Sequence, residues 1–102
     1  MAFEREIEVC RGVALRAGEL ALRHAAQGVR REDKSDDSPV TVADRECEQL
    51  IVSELRAAFP GDGFLGEEGA EHGGTSGRRW IVDPIDGTRD FVRGLPTWSN
   101  LI

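Results

Sequence analysis

The 102-residue chain carries 13 basic against 19 acidic side chains, a net charge of −6, with 39% hydrophobic and 31% charged residues. That length accommodates one domain and not two, and the apolar share is enough to build a core, which excludes wholesale disorder. No apolar run approaches the ~18 residues of a membrane span. The negative balance excludes a general nucleic-acid surface, which needs a basic field. Met1 to Glu8 alternates charged and apolar groups without a signal-peptide core, and Cys10 and Cys47 have no metal-ligand spacing. The expectation is a cytoplasmic protein with two reduced thiols. Twelve of the 13 basic residues are arginine, which leaves Lys34 as the sole compact ammonium in the sequence.

In chain order, residues from about Phe3 to Gln27 predict one long amphipathic helix. Ile7, Cys10, Val13, Ala17, Leu20, Ala21 and His24 recur at three- and four-residue steps. Gly28 reads as its stop. Arg30 to Ser38 is charged and turn-prone, hence a loop. Thr41 then has the place of an N-cap, with Asp44 three residues on in the manner of a capping box. A second helix runs from there to about Ala58, where Pro60 and Gly61 end it. Phe64-Leu65 predicts a short strand stopping at Gly66-Glu67-Glu68. Gly69 to Gly77 reads as a Gly/Ser/Thr loop. Trp80-Ile81-Val82 is the clearest strand and leads into Asp83-Pro84-Ile85-Asp86-Gly87-Thr88. Phe91 to Arg93 predicts a helical turn closed by Gly94, and Thr97 to Ile102 starts another strand.

Gly61-Asp62-Gly63-Phe64-Leu65-Gly66 has the letters of a dinucleotide-binding loop. That motif needs a strand before it and a helix after it; here a helix precedes and a strand follows, so it reads as a turn. His24 reads as a helix-face residue, His72 has no partner, and Trp80 and Trp98 read as core or pocket wall. No Ser-His-Asp or Cys-His arrangement can be built.

The carboxylates are more informative. Pro84 and Gly87 predict a tight loop holding Asp83 and Asp86 at a strand's carboxyl end, where α/β sheets place ligands. Glu67 and Glu68 also follow a strand. Acids gathered with few basic neighbours call for a cation, and hard oxygen ligands select Mg²⁺, or Mn²⁺, over zinc. Gly87 and Thr88 could turn backbone N–H groups toward a phosphate. Thr88 would reach whatever Asp44 holds if the second helix starts near this loop, although Asp44 also serves as a simple cap.

Taken together, Lys34-Ser35, Ser38-Pro39-Val40-Thr41, Ala43-Asp44, Gly66-Glu67-Glu68, Trp80 to Thr88 and Phe91 resemble the inositol monophosphatase superfamily, in the same order and spacing. Pro60-Gly61-Asp62-Gly63, Phe91 to Pro96 and Trp98 are similar to its histidinol-phosphate phosphatase branch. The resemblance implies a layered αβαβα sugar-phosphatase fold, here the N-terminal helices and first strands of a metal-dependent phosphatase domain over residues 1–102. It implies Mg²⁺-dependent hydrolysis of a small phosphorylated metabolite by a metal-activated water. Histidinol phosphate is the first candidate, followed by inositol phosphate and a 3′-phosphoadenosine-type nucleotide.

By position, Glu67, Asp83, Asp86 and the Ile85 carbonyl would hold metal. Asp44, Glu67 and Thr88 would be catalytic, and Gly87 and Thr88 would meet the phosphate. Three carboxylates and a phosphate dianion against two Mg²⁺ leave about one negative charge for Lys34 or a third ion to offset. A homodimer is expected of the full-length protein, with neither nucleic acid nor membrane as partner.

Two departures stand out. Asp90 occupies a position where the family usually has Asn, and members are much longer, with a further Asp ligand in their C-terminal half. A truncated, non-catalytic metal-binding fragment is therefore the competing reading. On either reading the chain is expected to be an N-terminal fragment that is inactive alone and bares apolar sheet surface, so that it aggregates, dimerises through the sheet or stays molten.

Overall fold

A computed structural model describes residues 3–27, 31–33 and 39–102. The helix α1 (Glu4–Gln27) and the helix α2 (Val42–Ala58) form where the apolar spacing predicts them. The helix α1 buries Val13, Ala17 and Ala21; α2 buries Ala43, Cys47, Ile51 and Leu55, together with Asp44 and Glu48. Small residues let the two helices approach closely, and the Cys47 thiol lies 3.5 Å from the Ala17 carbonyl. Burial, reinforced by the Asp44 and Glu46 carboxylates, pushes that thiol up to about 12, so Cys47 packs as a small apolar group. At the rim, His24 pairs with Glu46 at 3.3 Å, which places it on the helix face as expected.

The helices cover one face of a four-stranded sheet. Its strands are β3 (Gly63–Gly66), β4 (Glu71–His72), β5 (Arg79–Asp86) and β6 (Ser99–Leu101), in the order β4-β3-β5-β6. The central pair β3–β5 is parallel, and both edges are antiparallel. Phe64 and Val82 point from the sheet into a core shared with Val13, Ala17, Ile51, Leu55 and Phe59. A second apolar cluster joins Ala21, Ala43 and Cys47 to Ile85 and Phe91, beneath the short helix α3 (Thr88–Val92). Trp80 stacks on Phe59 at 5.6 Å and Trp98 meets Phe91 edge-on at 5.0 Å, so both tryptophans are packing residues. The result is an α/β arrangement of a helix layer on a sheet layer. Leu65, Ile81 and Leu101, on β3, β5 and β6, are respectively 38%, 61% and 48% exposed.

Three sequence expectations are corrected. Arg31–Asp33 (β1) is not loop but pairs antiparallel with Pro39–Thr41 (β2), Glu32 opposite Val40. The glycine-rich stretch contains β4, where His72 lies opposite Phe64, the two rings tilted with centroids 6.4 Å apart. The clearest strand does not end at Val82. It continues through Asp83, Pro84 and Ile85 to Asp86, so the acids stand on the strand rather than in a loop beyond it. Pro84 is tolerated because β5 bulges there, where a ladder N–H is not required. The Gly61–Gly66 letters form a turn entering β3, with no helix after it. Gly28 and Lys34 to Ser38 lie outside the described residues. Among the described residues, no helix is long and apolar enough to cross a membrane.

Burial along the helix layer ranks its leucines. In the intact protein, Leu55→Ala should cost about 2–5 kcal/mol in urea denaturation, whereas Leu22→Ala, at a 60% exposed position, should stay within about 0.5 kcal/mol. Equal losses would show that α1 and α2 do not meet the sheet as described.

Candidate active site

Strand register brings the first two acids together. Leu65 lies opposite Ile81 and Gly66 opposite Val82 in the parallel β3–β5 pair. The ladder gains one more bond, from the Glu67 N–H to the Val82 carbonyl at 3.0 Å. Glu67 therefore leaves the sheet beside Asp83, and the two carboxyl groups interact directly.

A bulge brings in the third. Asp83 pairs with Leu101 and Asp86 with Ser99, so three steps along β5 match two along β6. Side chains alternate along a strand, and residues three apart would ordinarily face opposite sides. The extra residue in β5 reverses that, and both acids line the same cavity. The Asn100 amide donates to the Pro84 carbonyl and secures the bulge.

At the end of β5 the chain turns at Gly87, whose φ is +88°. A side chain there would be strained and would also press on the Thr97 carbonyl. The turn aims the Thr88 hydroxyl at α2. Its Oγ1 lies 2.9 Å from Asp44 Oδ1 and 3.0 Å from the Ile85 carbonyl, so its single proton chooses between two acceptors. Asp44 is the third residue of α2, at the capping-box position, and is only 1% exposed. The side chain of Thr41 lies outside the described residues.

Glu67, Asp83, Ile85, Asp86, Gly87 and Thr88 thus line one cavity of about 420 Å³, with Arg89 and Asp90 beside them. Asp83 Oδ1 is buried and has no hydrogen-bond partner. Burial, then the neighbouring Glu67, Asp86 and Asp44 carboxylates, raises Asp83 to about 7. A buried, unpartnered carboxylate oxygen among further acids fits the chemistry of a hard divalent cation. Among the described residues, no three His, Cys, Asp or Glu side chains already converge as a finished metal cage. The fit therefore lies in the donor set and the unsatisfied oxygen.

The sequence matches the family model described as the inositol monophosphatase family over residues 4–102. The chain belongs to the inositol monophosphatase family. It is 44% identical over 98 residues to a histidinol-phosphatase of Chlorobaculum parvum, covering 95% of this chain and 38% of that protein. It is 57% identical over 61 residues to an inositol-1-monophosphatase of Rhizobium meliloti, covering 59% of this chain and 23% of that one. Its backbone is similar to the crystal structure of the extragenic suppressor protein SuhB from Bartonella henselae, with a TM-score of 0.87 at 35% identity, over 95% of this chain and 39% of that one. The chain spans little more than a third of the length of the histidinol-phosphatase and the SuhB structure.

Within this inositol monophosphatase family fold, Asp90, the departure noted in the sequence, accepts a hydrogen bond from Thr97 Oγ1 at 2.7 Å. That contact ties the loop after α3 back onto α3 itself. Glu68 faces a different cavity from Glu67, one lined by Arg45, Glu48 and Arg56 of α2. Sequence reasoning missed two buried acids. Asp62 accepts from Ser76 Oγ at 2.6 Å and from the Trp80 indole at 3.0 Å, which lock the turn before β3. Glu48 accepts from the backbone N–H groups of Glu68 and Ala70. Neither has a local signal, because each is defined by a partner 14 or more residues away.

The raised Asp83 gives the metal-free protein a pH signature. Between its ordinary 3.8 and about 7, folded Asp83 keeps a proton that the unfolded chain releases, so stability falls as pH rises through that window. Glu6, lowered mainly by Arg78, and Asp62, lowered mainly by Ser76, act oppositely, but only as pH falls through their own lower range. In chelator, the urea midpoint should therefore be lower at pH 8 than at pH 5, and Asp83→Asn should flatten the difference. A wild-type midpoint that rises over this interval would contradict the charge arrangement.

Proposed function

We propose that the intact protein hydrolyses a small phosphate monoester with Mg²⁺, and that histidinol phosphate is its substrate. The observation that carries this reading is the cavity itself, where three carboxylates, one with a buried unsatisfied oxygen, lie beside Thr88 and the Asp44 on α2 to which Thr88 donates. Glu67, Asp83, Asp86 and the Ile85 carbonyl would hold the cation, with Mn²⁺ an acceptable substitute. When bound, the cation neutralises phosphate charge and makes water more acidic.

The rest falls to this chain's own residues. Thr88 Oγ1 donates to Asp44 Oδ1, which leaves the hydroxyl's lone pairs free to accept from a water in the cavity. As the water oxygen bonds to phosphorus and the ester P–O bond breaks, the water's proton passes to Thr88 while the hydroxyl's own proton passes to Asp44. The leaving alkoxide takes a proton from solvent. Asp44 is buried and lies on a helix rather than a loop, so the acceptor is held in place before reaction. The N–H groups of Gly87 and Thr88 serve the phosphate. The five-residue α3 adds little dipole, so their contribution is direct hydrogen bonding. No covalent nucleophile is required.

The histidinol assignment is supported by 44% identity across 95% of the chain to a histidinol-phosphatase. The inositol phosphate alternative is supported by the 57% identity over 61 residues to an inositol-1-monophosphatase. A panel of histidinol phosphate, inositol phosphate and a 3′-phosphoadenosine nucleotide, assayed on the intact protein with and without Mg²⁺, decides among them. Preferred, Mg²⁺-dependent turnover of histidinol phosphate is the expected result. Turnover indifferent to Mg²⁺ or a trapped phosphoenzyme would end the proposal, and no turnover at all would favour a non-catalytic metal-binding protein.

The divergence of Glu67 from Glu68 generates a sharper comparison. Asp86→Asn should weaken Mg²⁺ binding in calorimetric titration at least about tenfold, and Glu68→Gln much less, because Glu68 lines the other cavity. Equal losses would mean that the carboxylates are wrongly assigned.

A further inference from the structure

Glu48 is a carboxylate only 3% exposed, and the reaction described above gives it no part. We propose that Glu48 is a positioning residue for Glu67, holding from α2 the turn on which Glu67 stands; this rests on Glu67 being a cation ligand. Its Oε1 accepts from the Glu68 N–H at 2.8 Å and its Oε2 from the Ala70 N–H at 2.9 Å. The two oxygens thus bracket the turn immediately after Glu67.

The turn needs such a bracket. Its backbone is closed by Gly66 N–H to Ala70 carbonyl at 2.7 Å and passes through Gly69 at a φ of +105°, a residue that imposes little stiffness of its own. Without Glu48, two N–H groups facing α2 would lose their acceptors. A carboxylate satisfies both at once, whereas an amide offers one acceptor and turns an NH₂ donor toward the other N–H. Gly66 makes the approach possible: a Cβ there would collide with the Glu48 carboxyl group. Its φ is not in the left-handed region, so close approach and not backbone conformation is what excludes a side chain.

Helix geometry gives this contact a wider consequence. Asp44 and Glu48 are four residues apart, on the same side of α2. Asp44 reaches Thr88 at the end of β5, and Glu48 reaches the turn after β3. One rigid helix therefore sets the position of both walls of the cavity. Carboxylates that orient a metal ligand in this manner typically change metal affinity by 10- to 100-fold when removed.

The test uses the intact, metal-free protein, with Mn²⁺ affinity by calorimetry and hydrogen exchange of the Glu68 and Ala70 amides by NMR. Glu48→Gln should speed exchange at both amides and weaken Mn²⁺ binding about tenfold. Gly66→Ala, which displaces the same carboxylate without altering it, should reproduce both effects, and the double variant should be no worse than either single one. Should Glu48→Gln not fold, Gly66→Ala carries the measurement. Glu54→Gln, which removes the Arg16 partner on a different part of α2, should leave Mn²⁺ affinity unchanged. Faster amide exchange with wild-type Mn²⁺ affinity would overturn the proposal, because Glu48 would then serve the fold alone. Unchanged affinity in Glu67→Gln is a separate outcome: it would remove Glu67 as a ligand, and the proposal with it.

Discussion

The parallel pairing of β3 with β5 is the constraint from which the rest of the site follows. Placing Gly66 opposite Val82 leaves Glu67 and Asp83 side by side at the same end of the sheet. The bulge around Pro84 then turns Asp86 to the side that Asp83 faces. Like charges gathered in this way cannot all stay ionised at no cost. Without a cation, Asp83 holds a proton up to about pH 7, mainly because burial disfavours its charge and Glu67 compounds the effect. A cation and a proton are therefore alternative answers to one electrostatic problem.

The helix layer does more than cover the sheet. The apolar side of α2 packs on the sheet through Ile51 and Leu55, while Asp44 and Glu48 extend past that packing to polar partners at the start of α3 and on the turn after β3. Buried acids in a helix are costly unless their oxygens are satisfied, and each of these has a partner on the sheet side of the domain. The position of the helix is fixed by hydrophobic burial, which is strong and non-directional. The orientation of the loops is fixed by hydrogen bonds, which are weaker and directional. Division of labour between the two explains how short loops can hold a defined cavity.

Periodicity made α1 and α2 legible to within a residue or two, because each buries a single stripe and has clear ends. The short strands were harder. The two-residue β4 lies in a glycine-rich stretch whose composition says loop, and Arg31–Asp33 carries no apolar pattern at all. Pro84 misled in an instructive way: proline usually ends a strand, but here it occupies a bulge, so Asp83 and Asp86 owe their common orientation to strand geometry and not to a loop. Glu67, Asp83, Asp86 and Thr88 line one cavity and Asp44 meets Thr88, so the residues that the resemblance grouped do lie near one another. Glu48 stayed invisible because its role depends on the backbone of a turn 20 residues away, and no side-chain pattern records that. Lys34, expected to offset charge, lies outside the described residues.

The central claim is that Glu67, Asp83 and Asp86 hold divalent metal within the one cavity they line. Crystals of the intact protein grown with Mn²⁺, with diffraction recorded at a wavelength where manganese scatters anomalously, test it directly. The account predicts anomalous density inside that cavity, with each of the three carboxylates within bonding distance of a manganese ion. A peak bonded elsewhere, or none at millimolar Mn²⁺ with the three carboxylates well ordered, would contradict it.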